Sequence, residues 1–430
     1  MLIPAMGILP NMINPIILND GVNLHIIPSE KFTTNILCVL MRRPLCREDV
    51  TQTAILPALL SRGSEKYPTV RDIRLAAESL QGSVFDAQII KKGEQQVLQF
   101  FLEFVDDGGI SLKVLDFLQE IILRPRSDGA GFYAPYVEGE SKNLKHRIEG
   151  RINNKSEYAK LKCLEALCQG EPFGLYGDGY AEDLPALTPE GLLTHYNSIW
   201  ATAPVDFIAL GKWDESRLKE MLLEKFMHPT DRNLRSVEPS IKIPKPALRQ
   251  ARPERQLIRL DHGTAQGNLC IGLRGDIPPV GLDFIHFQLA NEILGGGPNA
   301  KLFTHVREKE SLCYAIYSTI YRFKSLMCII AGTEPDKMEH VMELAEQELS
   351  ALKQGAFTDG ELQSAKQSLS KRWRAMQDNP SACVDFYASQ YLLEDPHTLD
   401  ELLSQIAEAS SEGVSGAASR LNIDTVVMMQ

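Results

Sequence analysis

Metal and nucleophile chemistry in proteins rests largely on histidine, cysteine and carboxylate groups, and this sequence spaces them poorly for it. Nine histidines are scattered through 430 residues, with no HExxH motif and no pair at the i, i+4 spacing that puts two imidazoles on one helical face. His305 and Glu308 are three apart but lack a second histidine, so they read as an ordinary helix-surface pair, and His146 and His262 are unpaired in sequence. The eight cysteines, at 38, 46, 163, 168, 270, 313, 328 and 383, include no CxxC spacing. Most lie in apolar runs such as Ile36-Leu37-Cys38-Val39-Leu40, and they read as reduced core side chains rather than a disulfide or zinc framework. One stretch remains: Gly295-Gly296-Gly297, then Arg307 and, seven residues on, Tyr314. An arginine can grip peptide carbonyls and a tyrosine hydroxyl can donate to a developing oxyanion. Three glycines after a helix also serve as a C-cap and tight turn.

The elements that must position these residues occur twice. The first half has an apolar strand around Asn35 to Met41, a helical stretch Thr51 to Leu60, then Arg62-Gly63. The second has a strand around Asn268 to Leu273, a helical stretch Leu282 to Leu294, then the three glycines. Asn35 and Asn268 are 233 positions apart, as are Arg62 and Gly295. A strand at Gln96 to Val105 turns Leu98, Phe100, Leu102 and Phe104 to one face, and Leu326 to Gly332 is its counterpart. An amphipathic helix follows each strand, through Leu112, Leu115, Leu118 and Ile122 in the first half and Met338, Val341, Leu344 and Leu349 in the second. Further helices are predicted at Ser156 to Cys168, Pro189 to Trp200, Asp359 to Met376 and Thr398 to Ala407, with Thr358 and Glu361 forming a capping box. The expected fold class is α+β, with two homologous domains, each a mixed or antiparallel sheet backed by helices.

Length alone makes two or more domains the default. Five prolines between Met227 and Arg255 cannot continue a helix or a central strand. The expected boundaries are therefore 1–226, a linker at 227–255, and 256–430. A net charge of −11 argues against nucleic-acid binding, which needs a basic face. No run of about 18 apolar residues is present, so no membrane span is expected. Met1 to Leu18 is broken by Pro4, Gly7, Pro10 and Pro15 and has no basic start, so it does not read as a signal peptide; the expected compartment is the cytoplasm.

This order of elements, over nearly the whole chain, resembles the insulinase, pitrilysin and mitochondrial processing peptidase family of zinc metallopeptidases. Active members carry HxxEH on a helix just before a Lys-Gly-Thr-like turn, which Arg62-Gly63-Ser64 matches. The resemblance puts the two histidine positions at Ala54 and Ala58 and the glutamate at Pro57; a methyl group cannot ligate a metal and proline cannot act as a base. The third ligand, a glutamate in the family, would fall near Leu144 to Ile148, a basic run without a carboxylate, though Glu140 and Glu149 are close. The stretch Leu294 to Phe303, then Arg307-Glu308 and Tyr314, is similar to the family's second signature, with Ala300 and Lys301 replacing its serine and arginine. The resemblance implies that Arg307 and Tyr314 contact substrate near the bond to be cut. Gly179 to Leu184 and Phe357 to Leu362 are weaker matches.

The resemblance implies a non-catalytic subunit of a two-chain peptidase. It would bind no cofactor itself, leave the zinc to an HxxEH-bearing homologous partner, and help hold a peptide or small-protein substrate. The alternatives are a catalytically dead structural or assembly protein of the same fold, and a free-standing zinc-dependent peptidase with an unrecognised site. The likeness is greatest to bacterial paired peptidases, some linked to peptide maturation and some to modification of elongation factor P.

Overall fold

The computed structural model describes residues 15–105, 110–227, 241–245, 247–263 and 266–430. Residues 1–14 and about half of the proline-rich segment expected as a linker (228–240 and 246) lie outside them. The first half runs β1 (Ile16–Asn19), β2 (Val22–Pro28), β3 (Thr34–Pro44), α1 (Val50–Leu60), α2 (Val70–Ser79), β4 (Val84–Lys92), β5 (Gln95–Val105) and α3 (Ile110–Leu123). It continues with a short pair, β6 (Ser127–Asp128) and β7 (Gly131–Phe132), then α4 (Ala134–Glu149), α5 (Lys155–Leu167), α6 (Pro189–Thr202), β8 (Val205–Gly211) and α7 (Glu215–Leu222). The second half has β9 (Gln256–Leu260), β10 (Gly267–Arg274), α8 (Gly281–Asn291), β11 (Cys313–Tyr321), β12 (Leu326–Thr333) and α9 (Met338–Lys353). It ends with α10 (Asp359–Met376), α11 (Pro380–Leu392), α12 (Leu399–Glu408), α13 (Ser411–Ser419) and β13 (Asn422–Met429).

Two sheets result, and they share one topology. The first has the order β1-β2-β8-β3-β5-β4 and the second, read from its other edge, β9-β13-β10-β12-β11. The pairing senses also correspond. β2 runs parallel to β8 and β9 parallel to β13, and every pairing from there to β4 or β11 is antiparallel. The sequence predicts this duplicated α+β architecture, and the strand orders bear it out.

Alternation explains the first core. Leu98, Phe100, Leu102 and Phe104 are all buried, packing with Val39, Met41, Leu115 and Leu118 in one continuous cluster. β8 and β13 enter the sheets centrally, and β8 is buried along its whole length, so its residues form an apolar run without alternation. α1 is apolar nearly all round and contains Pro57, which has no N–H to return to the Thr53 carbonyl one turn earlier.

The two compact units are interleaved along the chain. One takes the described residues of Met1–Glu149, Leu175–Pro244 and Pro380–Ser389; the other takes Gly150–Gly174, Lys245–Asn379 and Gln390–Gln430. In the latter, α5 covers one face of the sheet, packing Ala159, Cys163, Leu164 and Leu167 on Cys270, Cys328, Ile330 and Val427. Beside it, Glu171 is buried with Arg274 (2.6 Å) and Lys324 (2.8 Å). Burial opposes ionisation of Glu171, but hydrogen bonds from Lys324 and Arg274 outweigh it and hold the carboxyl below its ordinary range. Among the described residues no helix is long and apolar enough to cross a membrane.

Candidate functional site

The glycine-rich loop is shaped by close approach, not by left-handed backbone. α8 runs on through a wide π-type turn, Glu292–Gly296, and none of Gly295, Gly296 or Gly297 has a positive φ. A β-carbon on Gly295 would sit 2.7 Å from the Ser318 amide nitrogen of β11, and one on Gly297 2.7 Å from the Glu292 carbonyl oxygen. One on Gly296 would collide with the Asn291 side chain. Asn291 in turn accepts from the Ser318 hydroxyl at 2.8 Å, tying the loop to the sheet. The buried Glu292 carboxylate accepts from Ser368 Oγ at 3.1 Å and pairs with Arg372 of α10. Lys301, mostly buried, pairs with Glu361 at 3.0 Å, the same glutamate that completes the predicted capping box with Thr358. A cavity of about 310 Å³ opens behind the loop, lined by Glu292, Gly297, Thr358, Glu361 and Ser368 among others.

Arg307 and Tyr314 flank a tight turn. Leu302–Lys309 is a second π-type helix, and Arg307 near its end is exposed, its guanidinium 4.9 Å from the Phe303 ring centroid. Ser311, at φ 54°, reverses the chain into β11. Cys313 then pairs with Thr333 and Ala315 with Gly332, leaving Tyr314 as the extra residue of a β-bulge. Its ring lies across Gly332, where any β-carbon would collide with it. The Tyr314 hydroxyl donates to Gln266 Oε1 at 3.3 Å, and the side chain is 51 % exposed. Burial raises the Cys313 thiol, and the Arg307 guanidinium is close enough to pull it the other way. The structure therefore brings the charge of Arg307 to the residue beside Tyr314.

The positions of the degenerate zinc motif lie on α1. Ala54 and Pro57 are buried and Ala58 half-buried. On α4 the buried positions are Val137, Glu140 and Leu144. Glu140 is paired with Arg62, just beyond α1, and accepts from Asn143 Nδ2 at 3.2 Å. Glu149 is exposed beside Lys145. This donor set does not fit zinc: the motif positions hold two alanines and a proline, and the buried carboxylate of α4 is already held by arginine.

Over residues 186–369 the chain matches the family model described as the peptidase M16 inactive domain, a span that includes the glycine loop, Arg307 and Tyr314. A Bacillus subtilis protein described as probable inactive metalloprotease YmfF is 27 % identical over 418 residues, 96 % of each chain. The crystal structure of a conserved protein from Enterococcus faecalis superposes with a TM-score of 0.87 at 26 % identity, covering 97 % of this chain and 98 % of that one. A peptidase M16 inactive domain from Pseudomonas fluorescens shares the fold, with a TM-score of 0.80 at 18 % identity over 97 % and 98 %. The chain is thus similar to M16-family peptidases, by the family model over residues 186–369 and by relatives along nearly its whole length.

Two features of the site lie outside the sequence pattern. Gly332 and Gln266 hold Tyr314, yet neither belongs to the loop-Arg-Tyr pattern; a glycine inside a strand is the one cue to a close approach there. In the other unit, His195 of α6 sits 2.8 Å from the Thr53 hydroxyl, beside the degenerate motif. Burial, aided by the charge of Arg43, pushes its pKa down to about 4. His305 pairs with Glu348 at 2.6 Å, not with Glu308.

Proposed function

We propose that this chain is the non-catalytic member of a two-chain M16 peptidase. An HxxEH-bearing homologue would hold the zinc and supply its activated water. This chain would help bind a peptide or small-protein substrate and present Arg307 and Tyr314 to the bond being cut. The contrast between the two sites carries the reading. On α1, Ala54, Pro57 and Ala58 offer no metal donor or base, so nothing supports cleavage by the chain alone. On β11, a bulge, a glycine and a hydrogen bond hold a half-exposed tyrosine with an arginine nearby. An oxyanion donor must be accessible, and the half-exposed Tyr314 is so. The pair would work in the cytoplasm, where all eight cysteines, free here, stay reduced.

The structural-protein reading draws on a different observation: packing alone accounts for all three loop glycines. Mixing the purified chain with an HxxEH-bearing M16 homologue separates the two. A stable complex that cleaves peptides neither chain cleaves alone supports the proposal. A stable complex without any cleavage leaves the structural reading.

A further inference from the structure

Far from the loop in sequence, three thiols converge in the second unit. Cys163 comes from α5, Cys270 from β10 and Cys328 from β12, and their Sγ atoms all lie within 4.8 Å of one another. All three are fully buried. We propose that Cys163, Cys270 and Cys328 form a binding site for one soft monovalent metal ion, copper(I).

Free cysteines commonly serve as small core residues, so burial alone means little. The convergence is what needs an account. Sulfurs from three separate elements meet at one point, and Gly272 makes room for them: a β-carbon there would lie 2.8 Å from Cys163 Sγ. A disulfide across the strands fits poorly. Cys270 pairs with Ile330 and Cys328 with Gly272, so the two cysteines are diagonal neighbours, not opposite ones. Diagonal partners lie about 7 Å apart, whereas a disulfide needs β-carbons about 4 Å apart. A metal ion can draw such sulfurs together: thiolate bonds of about 2.3 Å set three sulfurs around one ion about 4 Å apart, a small closing of the spacing of up to 4.8 Å found here.

The number and kind of donors choose the metal. Zinc closes a structural site with four ligands, and no fourth histidine, cysteine or carboxylate joins this group among the described residues. Cys168, the next cysteine along, instead accepts from Arg274 Nη2 at 3.6 Å. An all-sulfur site sealed from water suits a soft, low-charge ion. On binding, three sulfur–copper bonds replace the three S–H bonds and the three protons pass to solvent.

The test uses the full chain, anaerobic and reduced, with copper(I) delivered from a chromophoric bicinchoninate complex. Because the site is sealed, copper is offered both to the folded chain and during refolding. The expected result is one copper(I) per chain withdrawn from the chelator by at least one route, with X-ray absorption showing three sulfur neighbours. Cys163→Ala and Cys328→Ala should each weaken retention at least tenfold, while Cys46→Ala, at a half-exposed position, changes nothing. Should the alanine variants fail to fold, the sulfur count on the wild-type chain decides. Copper left with the chelator by both routes, nitrogen or oxygen among its neighbours, or loss of binding in Cys46→Ala overturns the proposal.

Discussion

The ring of Tyr314 lies over Gly332, the residue that faces the bulge on the neighbouring strand. Strand β12 is otherwise wholly apolar or small and fully buried, and the glycine leaves a shelf on which the ring rests. A bulge re-aims a side chain, and here it keeps the hydroxyl in reach of Gln266.

Gly332→Ala should therefore displace Tyr314 without unfolding the protein. The new methyl meets the ring of a half-exposed side chain that can swing into solvent, so the stability cost should stay below about 1 kcal/mol. If Tyr314 acts on substrate, this variant should lower cleavage by the reconstituted pair about as far as Tyr314→Ala does. Urea midpoints and rates on the same preparations check both halves. Wild-type rates from Gly332→Ala would mean that the ring's position is irrelevant to activity.

The degenerate motif should leave the chain without zinc on α1. After dialysis against a chelator, elemental analysis should find well under one zinc per chain. Any residual zinc should be unaffected by Glu140→Gln, because Glu140 is engaged with Arg62. One tightly held zinc lost in Glu140→Gln would restore a metal role to that helix pair.

Much of this fold was legible in the sequence because its signals are local. The alternation through Leu98, Phe100, Leu102 and Phe104 places one face of β5 in the core, and the 233-residue offset places the second sheet. β8 escaped notice for the opposite reason. Val205–Gly211 is buried on both faces, so it has no period to read, and its parallel pairing with β2 joins residues some 180 positions apart. The destination of α5 was equally unreadable: its apolar face names no partner, and Cys163 meets Cys270 and Cys328 only because that helix covers the second sheet. At the site, Arg307 and Tyr314 stood out by spacing, whereas the bulge and Gly332 depend on strand register, which spacing does not encode.

His195 supplies a pH signature for the first unit. Its pKa in the folded chain, about 4, is below the ordinary 6.5 because burial penalises the imidazolium and Arg43 repels it. Between those values the unfolded chain binds the proton and the folded chain does not, so unfolding takes up protons. The contribution is complete above pH 6.5 and is lost as pH falls towards 4. Imidazole chemical shifts should place the His195 midpoint near 4. His195→Gln should also flatten the fall in urea midpoint across that window. A ring titrating near 6.5 would show that the Thr53 contact does not exclude water.

Arg307 and Tyr314 should differ in how they fail. In a reconstituted pair, Arg307→Ala should reduce cleavage without weakening assembly, since the guanidinium is exposed and contacts only Phe303 among the aromatic rings of the described residues. Tyr314→Phe removes a hydroxyl and keeps the ring over Gly332, so it isolates the proton donor from the packing. Such a donor acts mainly on charge that develops in the transition state, so kcat should fall more than KM rises. Losing one typically costs about 3 kcal/mol, or ~100-fold in rate. A rise in KM alone would instead make Tyr314 a positioning residue that holds substrate equally in both states. Unchanged kinetics in both variants of an active pair would remove the loop, the arginine and the tyrosine from the chemistry and move the structural reading ahead.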